Sequence, residues 1–404
     1  MHCRFCKTKL THQVIDLESC PPANAYLTDV NSVETYYPLQ VYVCTNCYLV
    51  QTLDYVSPGE IFNKQYAFIS SASQTWKQHC EDYTASIINK LRLTTGSSVV
   101  EIGSNDGILL KCFAEKQMNV LGIDPAASIV DYKEKGLSLV DQFFNTALAE
   151  SLRSKGVAAD LIIANNVIAH VPEVNSFVSG IKNLLGSKGI ATIELPHLLN
   201  LIRYNQFDTI YHEHFSYFSL TVLQKIFSTH HLKIFDVEEL NIHGGSIRIY
   251  VTHQKNEIAE TDSFKNILQQ EAEVGVETLE YYSQLQRFSY KIKSDFLLWL
   301  MSTLQDGKKV MAYGAAAKGN TFLNYCGVKK DMIPMIADVT PKKQGKYLPG
   351  SRISIVDESA IAGYKPDFIL VLPWNYKSEI DKRLAYTKEW GCKLVYLIPE
   401  LVIY

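Results

Sequence analysis

Long hydrophobic runs are missing from this sequence, and so is any excess of basic residues. No apolar stretch reaches the ~18 residues that a membrane-spanning helix needs. The opening decapeptide MHCRFCKTKL lacks the apolar core of a signal peptide, so we expect a cytoplasmic protein without a membrane partner. Lys and Arg number 39 against 42 Asp and Glu, which gives a net charge of -3. With no basic excess to bind a phosphate backbone, we expect no nucleic-acid partner.

Size and composition are those of an ordinary globular protein. The chain has 404 residues, of which 47% are hydrophobic and 20% are charged. This is enough apolar material for the cores of two or three domains. We expect a monomer or a weak homo-oligomer.

Four of the nine cysteines form two Cys-x-x-Cys pairs near the N-terminus. The pairs are Cys3 with Cys6 and Cys44 with Cys47, and the second follows YPLQVYV, an alternating pattern that predicts a strand of a hairpin. Four thiolates suit a closed tetrahedral zinc site, so we expect residues 1–70 to form a small zinc-binding domain. A redox or catalytic role is the alternative, which a site without an open ligand position disfavours. Core or inert positions are expected for Cys20, Cys80, Cys112, Cys326 and Cys392.

Residues 71–255 show strand patterns that alternate with helical ones. The strand patterns occur in GSSVVEIGSNDGILLKCFAE, NVLGIDPAAS, ADLIIANNVIAHVPE and KGIATIELPH, and the first continues through a glycine-bearing turn into a helix. This alternation predicts a doubly wound, Rossmann-like α/β sheet. Ligands bind such sheets beyond the carboxyl ends of the strands, where the polar residues of these segments fall.

The same alternation returns after a helical stretch. Residues 256–306 contain no proline and predict helices that link two parts of the molecule. Residues 307–404 then repeat the order of strand, glycine-rich loop and helix, beginning with KKVMAYGAAAKGNT. They predict a second, C-terminal Rossmann-like α/β domain.

The loop EIGSNDG resembles motif I of class I S-adenosylmethionine (SAM) methyltransferases. In that motif the glycines, here Gly103 and Gly107, admit the amino-acid end of the cofactor. Asp124 matches the acid whose carboxylate accepts hydrogen bonds from both ribose hydroxyls. The alternative is that the two glycines only permit a tight turn and close helix packing. The cofactor-binding residues that the resemblance implies are Glu101, Gly103, Asn105, Gly107, Asp124, Asn165 and Asn166.

Four features occur together along the chain: the N-terminal cysteines, the EIGSNDG domain, the stretch YHEHF at residues 211–215, and the C-terminal YGAAAKGNT. In this combination the chain resembles the sugar C-methyltransferase family. The resemblance implies SAM as the cofactor, zinc as a structural metal and a nucleotide-diphosphate sugar as the substrate. The implied reaction adds a methyl group to C3 of a 4-keto-6-deoxysugar.

YHEHF supplies the groups that methylation at carbon requires. A carbon beside a ketone becomes nucleophilic once a base removes its proton while donors stabilise the enolate oxygen. By resemblance we expect His214 to act as the base, Glu213 as its partner or a second acid/base group, and Tyr211 as an enolate-binding or orienting hydroxyl. We also expect His170 and Tyr66 to face the pocket; the alternative for His170 is a structural role at a helix start, and for Tyr66 it is packing. Which of His214 and Glu213 removes the proton stays open.

These roles require the backbone to turn within the motif. In an extended strand Tyr211 and Glu213 would face one way, and His212 and His214 the other. We expect His212 to be a structural histidine that is bonded to the backbone. A half metal site formed by His-x-His is the alternative, but no third and fourth ligand are obvious nearby.

The loop YGAAAKGNT offers backbone N–H groups, a helix N-terminus and a lysine for a diphosphate, and the alternative is a simple glycine turn. It differs from the phosphate loop of ATPases because its lysine is followed by glycine rather than by Ser or Thr. Asp338, which ends the next strand, is expected to contact a ribose. The substrate-binding residues that we expect are Lys318, Gly319, Asn320, Asn241 and His243.

Three other functions compete with this interpretation. Methylation of an oxygen or a nitrogen also requires deprotonation, so a His/Glu pair does not exclude it. A zinc-ribbon enzyme that modifies RNA would contain the same two domains, although the acidic balance disfavours RNA. The third is a scaffold with a vestigial cofactor site, and the intact Asp124 and YHEHF count against it.

Overall fold

The strands lie in two parts of the chain, up to His253 and again from Val310 onward. A computed structural model describes residues 1–62, 70–242 and 244–404. The strands are β1 (His12–Cys20), β2 (Tyr37–Val43), β3 (Val50–Thr52), β4 (Ser98–Ile102), β5 (Asn119–Ile123), β6 (Leu139–Val140), β7 (Ala159–Asn165), β8 (Leu185–Pro196), β9 (Ser216–Tyr217), β10 (Leu232–Leu240), β11 (Ser246–His253), β12 (Val310–Tyr313), β13 (Met335–Ala337), β14 (Ser354–Val356), β15 (Phe368–Val371), β16 (Lys393–Tyr396) and β17 (Val402–Ile403).

Helices connect most of these strands. The α-helices are α1 (Pro58–Ile61), α2 (Gln74–Leu91), α3 (Ile108–Ala114), α4 (Ile129–Glu134), α5 (Thr146–Ser154), α6 (Val174–Leu184), α7 (Leu198–Arg203), α8 (Leu220–Thr229), α9 (Asp262–Val274), α10 (Leu279–Tyr282), α11 (Gln284–Gln305), α12 (Ala317–Cys326), α13 (Ala360–Tyr364) and α14 (Lys377–Arg383). The 3-10 helices are Ser70–Ala72, Ile168–His170, Phe207–Thr209, Trp374–Tyr376 and Ala385–Trp390. Within the described ranges, no helix has both the length and the apolar character required to cross a membrane.

The N-terminal sheet is antiparallel and has the order β1-β2-β3-β9. Strands β2 and β3 form a hairpin in which Val43 faces Val50, so the predicted hairpin around Cys44 and Cys47 is confirmed. The fourth strand comes from far along the chain, because Val50 of β3 also pairs with Tyr217 of β9. The segment that follows YHEHF is therefore part of the sheet built by the first residues.

The central sheet has the order β10-β11-β8-β7-β4-β5-β6. Strands β4 to β8 pair in parallel, whereas β11 is antiparallel to both β8 and β10. Strands β4 and β7 are buried almost throughout, as expected for a sheet covered by helices on both faces. The predicted doubly wound α/β architecture is confirmed. The strand order reverses between β4 and β7, which opens a crevice at their carboxyl ends.

The C-terminal sheet is also mostly parallel and has the order β14-β13-β12-β15-β16-β17. Strands β12 to β16 pair in parallel, and only the edge strand β17 is antiparallel in the described part of this sheet. The order reverses between β12 and β15. A second Rossmann-like sheet was predicted for this part of the chain, and the strands confirm it.

Helices α9 to α11 connect the two α/β sheets, as the proline-free stretch predicts. In α9 the buried carboxylate of Glu271 accepts hydrogen bonds from the backbone N–H groups of Leu220 (2.7 Å) and Thr221 (2.8 Å), and it caps α8. Its Oε1 also lies 2.6 Å from Nε2 of the buried His197. Helix α9 is thereby fixed to the central sheet.

One hydrophobic core joins the N-terminal sheet to the C-terminal sheet. It contains Val14 and Leu17 of β1, Phe296 and Leu300 of α11, and Phe322 of α12. These side chains are fully or almost fully buried. The boundaries predicted at residues 70, 255 and 306 stay predictions, and the sheets do not follow them strictly because β9 joins the N-terminal sheet.

Candidate functional site

The four N-terminal cysteines converge at one point. Their Sγ atoms all lie within 4.8 Å of one another, and the Cys3–Cys47 and Cys6–Cys44 pairs are separated by 3.6 Å and 3.5 Å. A tetrahedral zinc ion with Zn–S bonds of about 2.3 Å requires sulfur atoms about 3.8 Å apart. The four thiol groups therefore fit a closed zinc site with no position left for a substrate.

The two Cys-x-x-Cys turns have the same backbone design. The carbonyl of Cys3 accepts from the N–H of Lys7 (2.9 Å), and the carbonyl of Cys44 accepts from that of Tyr48 (3.0 Å). Lys7 and Tyr48, which directly follow the two pairs, adopt positive φ angles of 62° and 65°. The buried side chain of Gln51 bonds the N–H of Arg4 and also lies 3.3 Å from Cys3 Sγ. Such contacts orient the thiolates for a metal.

The loop EIGSNDG follows β4 and bends back over the carboxyl ends of the central strands. Gly103 and Gly107 have φ angles of +71° and +77°, which disfavour residues with a Cβ. A Cβ on Gly103 would also lie 2.3 Å from a methyl carbon of Val167. Asn105 has φ of 48°, a conformation that asparagine tolerates better than most residues, and this explains why it can stand where a glycine is usual.

Asp124 fixes this loop from the end of the neighbouring strand. Its Oδ2 accepts from the N–H of Asn105 (2.9 Å), and its Oδ1 accepts from Ala126 (2.7 Å) and Ala127 (3.0 Å). The carboxylate is thus held in one orientation and has lone pairs left for further donors, because a carboxylate has about four acceptor positions.

Several buried polar atoms beside this loop lack hydrogen-bond partners among the residues that the structure describes. They are Oε2 of Glu101, Oδ1 of Asp106 and both amide atoms of Asn165. Burial raises the pKa of Glu101 well above its usual range, and Asp124 adds to the shift. Buried acceptors without partners are costly unless a ligand supplies donors. The predicted cofactor residues thus fit a ligand with amino or hydroxyl groups and a positive charge.

The end of β7 brings this crevice next to the YHEHF segment. Asn166 has φ of 56° and donates its N–H to the carbonyl of Glu194 (2.7 Å). The following 3-10 helix ends at His170, and its Ala169 carbonyl accepts from the N–H of Phe215 (2.7 Å). The motif therefore lies directly beyond the strand that carries Asn165.

The backbone does turn inside YHEHF, as the predicted roles required. The N–H of His214 donates to the carbonyl of Tyr211 (2.9 Å), so the two side chains come to the same side. Their rings are stacked with centroids 4.0 Å apart and planes inclined by 34°. The ring of His170 meets His214 edge-on at 4.7 Å. All three residues are half-buried.

Hydrogen bonds determine which nitrogen of each imidazole is basic. Nδ1 of His214 donates to the Thr209 carbonyl (2.9 Å), and Nδ1 of His170 donates to the Glu213 carbonyl (2.8 Å). A carbonyl only accepts, so both rings carry their basic lone pair on Nε2. Burial lowers the pKa of His170 to about 4, although the bond to Glu213 opposes this. His170 is therefore neutral at pH 7.

Glu213 is buried in the turn and bonded to a residue from the N-terminal part of the chain. It is 2% exposed, and its Oε1 accepts from the side-chain amide of Asn24 (2.7 Å). The nearby hydroxyl of Tyr26 donates to the Ala315 carbonyl (2.7 Å) of the C-terminal part. Neither Asn24 nor Tyr26 was predicted. Nothing in the local sequence marks them, because their partners lie 189 and 289 positions away.

His212 is buried on the opposite side of the turn. Its Nε2 lies 3.3 Å from the Pro38 carbonyl, and its ring meets Tyr37 edge-on at 5.9 Å. The prediction of a structural histidine bonded to the backbone is confirmed. No other His, Cys, Asp or Glu of the described ranges forms a metal-type cluster with it.

The residues predicted for substrate binding are distributed over two places. Lys318 is partly exposed at the start of α12, where its Nζ donates to Oδ1 of Asn375 (2.9 Å). Asn320 is buried and donates to the Ala23 carbonyl (3.2 Å), and Gly319 packs so closely that a Cβ would lie 2.6 Å from Leu372.

The remaining predicted residues lie around these two places. Asp338 accepts from the N–H of Ala315 (2.7 Å). Asn241 is exposed in the turn between β10 and β11. Tyr66 and His243 lie outside the described residues.

A wide cleft of about 1000 Å³ lies at the opposite ends of the central strands. Its basic residues include Arg153 and Lys182, which stand in the last turns of α5 and α6. Cations at helix C-termini offset the helix dipole. Their presence is thus explained without a ligand.

Three family models match the chain in succession. They are described as "Putative zinc binding domain" (residues 3–62), "Methyltransferase domain" (residues 76–236) and "C-methyltransferase C-terminal domain" (residues 241–399). The order of the three matches along the chain is the order of the N-terminal, central and C-terminal sheets.

Comparison with known proteins gives a relative that spans nearly the full length. C-methyltransferase NovU from Streptomyces niveus is 32% identical over 401 residues, covering 98% of this chain and 95% of the relative. Ubiquinone biosynthesis O-methyltransferase from Bartonella quintana (strain Toulouse) is 29% identical over 94 residues, which is 23% of this chain and 38% of that protein. Magnesium protoporphyrin IX methyltransferase (ChlM) from Synechocystis PCC 6803 is 15% identical with a TM-score of 0.33, covering 44% of this chain and 79% of that structure.

Proposed function

Because the chain belongs to the C-methyltransferase family, we propose that it methylates C3 of a nucleotide-linked 4-keto-6-deoxysugar with SAM as the donor. The main support is the position of the His214 imidazole, which is stacked on Tyr211 directly beyond β7 and beside the crevice of the central sheet. A base at this place can reach a carbon acid that lies next to a cofactor held by the loop Gly103–Gly107.

The crevice between β4 and β7 suits SAM in charge and in hydrogen bonding. When bound, SAM supplies a methyl group on a sulfonium, which is a good leaving group. We assign the ribose hydroxyls to the carboxylate of Asp124, which is already oriented by three backbone N–H groups. Oε2 of Glu101 and the side-chain amide of Asn165, which have no partner in the described structure, would receive the amino-acid end. Gly103, Asn105, Gly107 and Asn166 shape the backbone around it.

His214 serves as the base in this mechanism. Its Nε2 takes the proton from C3 of the sugar, and the electron pair of the C–H bond moves into the enolate of the C4 ketone. The Thr209 carbonyl on Nδ1 supports this role, because it stabilises the imidazolium that forms. SAM would supply the methyl group that the enolate carbon takes, with the sulfonium as leaving group, and His214 would later release its proton to water.

Tyr211, His170 and Glu213 complete the reaction site. Burial raises the pKa of Tyr211 well above its usual range, and the charge of Glu213 adds to this, so the phenol keeps its proton. A neutral phenol can donate a hydrogen bond to the enolate oxygen. His170 is a neutral contact for the sugar, and Glu213 is an acid/base partner that Asn24 holds in place. Tyr66, which lies outside the described residues, keeps its predicted place at the pocket.

The nucleotide is assigned to the C-terminal sheet. Lys318 and the loop after β12 would bind the diphosphate, with Gly319, Asn320 and Asp338 forming the walls. Asn241 and the unplaced His243 keep their predicted role at the sugar or the cofactor. Remote binding of the nucleotide helps the reaction because it positions the small, polar sugar ring at the base.

Product analysis tests this proposal. The purified protein is incubated with SAM and a panel of nucleotide-linked 4-keto-6-deoxysugars, and the products are examined by mass spectrometry and NMR. We expect a mass increase of one methyl group, a new C–CH3 bond at C3 and loss of the C3 proton. A methyl group on oxygen or nitrogen would contradict the proposal, and so would a product that retains its C3 proton.

A further inference from the structure

The C-terminal sheet has its own ligand crevice at the reversal between β12 and β15. In doubly wound sheets, ligands bind where the strand order reverses, beyond the carboxyl ends of the two strands. Here the loop after β12 leads to Lys318, and the loop after β15 carries Trp374 and Asn375. These three residues therefore line the place where the topology predicts a ligand.

Lys318 spans this crevice. Its Nζ donates to Oδ1 of Asn375 at 2.9 Å and lies 4.4 Å from the centre of the Trp374 ring. Burial lowers the pKa of Lys318 to about 8, with the charge of Asp208 acting in the opposite direction. A desolvated ammonium group gains more from an anionic ligand than an exposed one does. The crevice is accordingly suited to a diphosphate.

Trp374 is also bonded to the part of the chain that leads into YHEHF. Its indole Nε1 donates to Oδ2 of Asp208 at 2.7 Å. Asp208 is 2% exposed, and its Oδ1 has no hydrogen-bond partner among the described residues. Burial raises the pKa of this carboxyl group to about 6, although Lys318 opposes the shift. Burying a carboxyl group costs more free energy than burying asparagine or leucine, so we expect Asp208 to have a specific role at this position.

Asp208 is also close in the chain to the base. It lies in the 3-10 helix Phe207–Thr209, whose last residue accepts from Nδ1 of His214 through its carbonyl (2.9 Å). The next carbonyl, that of Ile210, accepts from the hydroxyl of Thr321 in α12 (3.0 Å). A continuous series of bonds therefore connects the Lys318 crevice with the His214 imidazole.

We propose that Asp208 is a positioning residue for the methyl acceptor. Through the indole of Trp374 it fixes the loop after β15, and with it the diphosphate contact of Lys318, at a set distance from His214. The inference rests on the proposed function, because it takes the acceptor to be a nucleotide sugar whose diphosphate binds at Lys318. Its physical basis is that a small displacement of a bound substrate lowers the rate more than the affinity.

Kinetic analysis of variants at the bond tests the inference. Trp374→Phe keeps an aromatic ring beside Lys318 but removes the indole N–H together with the five-membered ring that carries it, a loss that the control variant Trp390→Phe shares. We expect kcat to fall by about 10- to 100-fold, with the KM for the nucleotide sugar and the Kd for SAM within about threefold of wild type. Asp208→Ala should behave in the same way. Asp208→Asn keeps an oxygen that accepts from the indole, so it should retain most of the wild-type kcat.

Trp390→Phe is the matched control. It removes an equivalent indole bond, from Nε1 to the Pro366 carbonyl (3.0 Å), at the far side of the same sheet. We expect its kcat to equal that of the wild type. The inference is wrong if Trp374→Phe keeps a kcat within twofold of wild type, or if Trp390→Phe loses as much activity.

A second measurement separates this inference from the proposed function. UDP, dTDP and GDP are titrated by calorimetry, and hydrogen exchange is followed in residues 205–215. We expect one nucleoside diphosphate to bind and to slow exchange of the Thr209 and His214 amides in the wild type but not in Trp374→Phe. Lys318→Met should weaken its binding at least tenfold. If none binds, or if exchange slows equally in both proteins, the inference fails even where methylation is observed. If the wild type methylates no nucleotide sugar while the exchange effect is seen, only the proposed function fails.

Discussion

The two ring nitrogens of His214 have different environments, and this difference supports the proposed role of the residue as a base. Nδ1 is engaged with the Thr209 carbonyl, which fixes the tautomer and the ring plane. Tyr211 on one side and His170 on another restrict the ring further. A base that is already oriented needs less reorganisation in the transition state. His212, two positions away, has none of these partners and is buried against Pro38.

Substitution of the two histidines should separate their roles. His214→Asn removes the proposed base, so we expect turnover to fall by about 100- to 10,000-fold with an unchanged Kd for SAM. His212→Asn should lower the melting temperature but leave kcat within about threefold. Steady-state kinetics, SAM calorimetry and thermal melting of both variants check this. A His214→Asn enzyme with near wild-type turnover would remove His214 from the role of base.

A substitution at Gly103 tests whether the loop after β4 binds the cofactor. Its φ of +71° and its contact with Val167 leave no room for a methyl group, so Gly103→Ala should displace the loop. We expect the Kd for SAM to rise at least tenfold, measured by calorimetry. Gly96→Ala is the control, because Gly96 has a similar φ of +84° but no atom within 4 Å of an added Cβ. Equal SAM affinity in both variants would contradict a cofactor site at this loop.

At the level of elements, one carboxylate joins three of them. Glu271 of α9 caps α8 and also bonds His197, which stands between β8 and α7. Burial alone would raise the pKa of Glu271, but the hydrogen bonds from His197 and Thr221 outweigh it and lower the pKa. A carboxylate whose pKa is lowered on folding stabilises the protein at pH values above its unfolded-state pKa.

Glu271→Gln should therefore destabilise the protein in a pH-dependent way. We expect a loss of about 2 kcal/mol near neutral pH, because charge-assisted hydrogen bonds to the backbone are weakened. Since the folded pKa lies below the ordinary value of 4.5, the difference from wild type should shrink as pH falls below about 4.5. Urea unfolding of both proteins between about pH 3.5 and 7 measures this difference in the free energy of unfolding. The pH range brackets the ordinary carboxyl pKa. Glu273→Gln, on the exposed face of α9, is the control and should show no such difference.

The elements differ in how far the sequence predicts them. Strands such as β4 and β7 have apolar centres and are flanked by turn residues, so their pattern identifies them. Strand β9 has two residues and no periodicity. Its pairing with β3 depends on a partner more than 160 positions earlier, as in the Val50–Tyr217 pair. Local pattern carries no information about such a contact.

At the scale of the whole molecule, the sheet that carries the four cysteines supports the YHEHF segment through direct contacts. Strand β3 pairs with β9 immediately after YHEHF, and the Thr52 hydroxyl donates to the His214 carbonyl (3.0 Å). The side chain of Asn24 reaches Glu213 from the same sheet's connecting loop. Loss of the metal should consequently loosen residues 211–217.

Removal of zinc tests this dependence. Cys3→Ser should lose one-to-one zinc, measured by elemental analysis, because a closed site needs all four thiolates. In wild-type protein treated with a chelator, we expect faster hydrogen exchange in residues 211–217 and unchanged exchange in β12. Zinc retained at full occupancy in Cys3→Ser would contradict the four-thiolate assignment. Unchanged exchange in residues 211–217 would contradict the proposed support.

The candidate site could be predicted only where its chemistry is local in the chain. The cysteine pairs, the loop EIGSNDG and YHEHF each concentrate reactive groups within a few residues. In the structure the cysteines form a cluster, and the other two segments lie at the crevice of the central sheet. Asn24, Asp208 and Trp374 stand alone in the sequence, and their partners come from other sheets. Residues of this kind are recognisable only after the sheets have been packed together.

The pairing of β3 with β9 also has a consequence for synthesis on the ribosome. Strands β1 to β3 are complete once residue 52 has emerged, but the strand that covers their open edge ends at residue 217. During the translation of the residues in between, the nascent chain presents an unpaired strand edge, the kind of surface at which chains associate wrongly. A fragment cut before residue 216 keeps that edge exposed permanently.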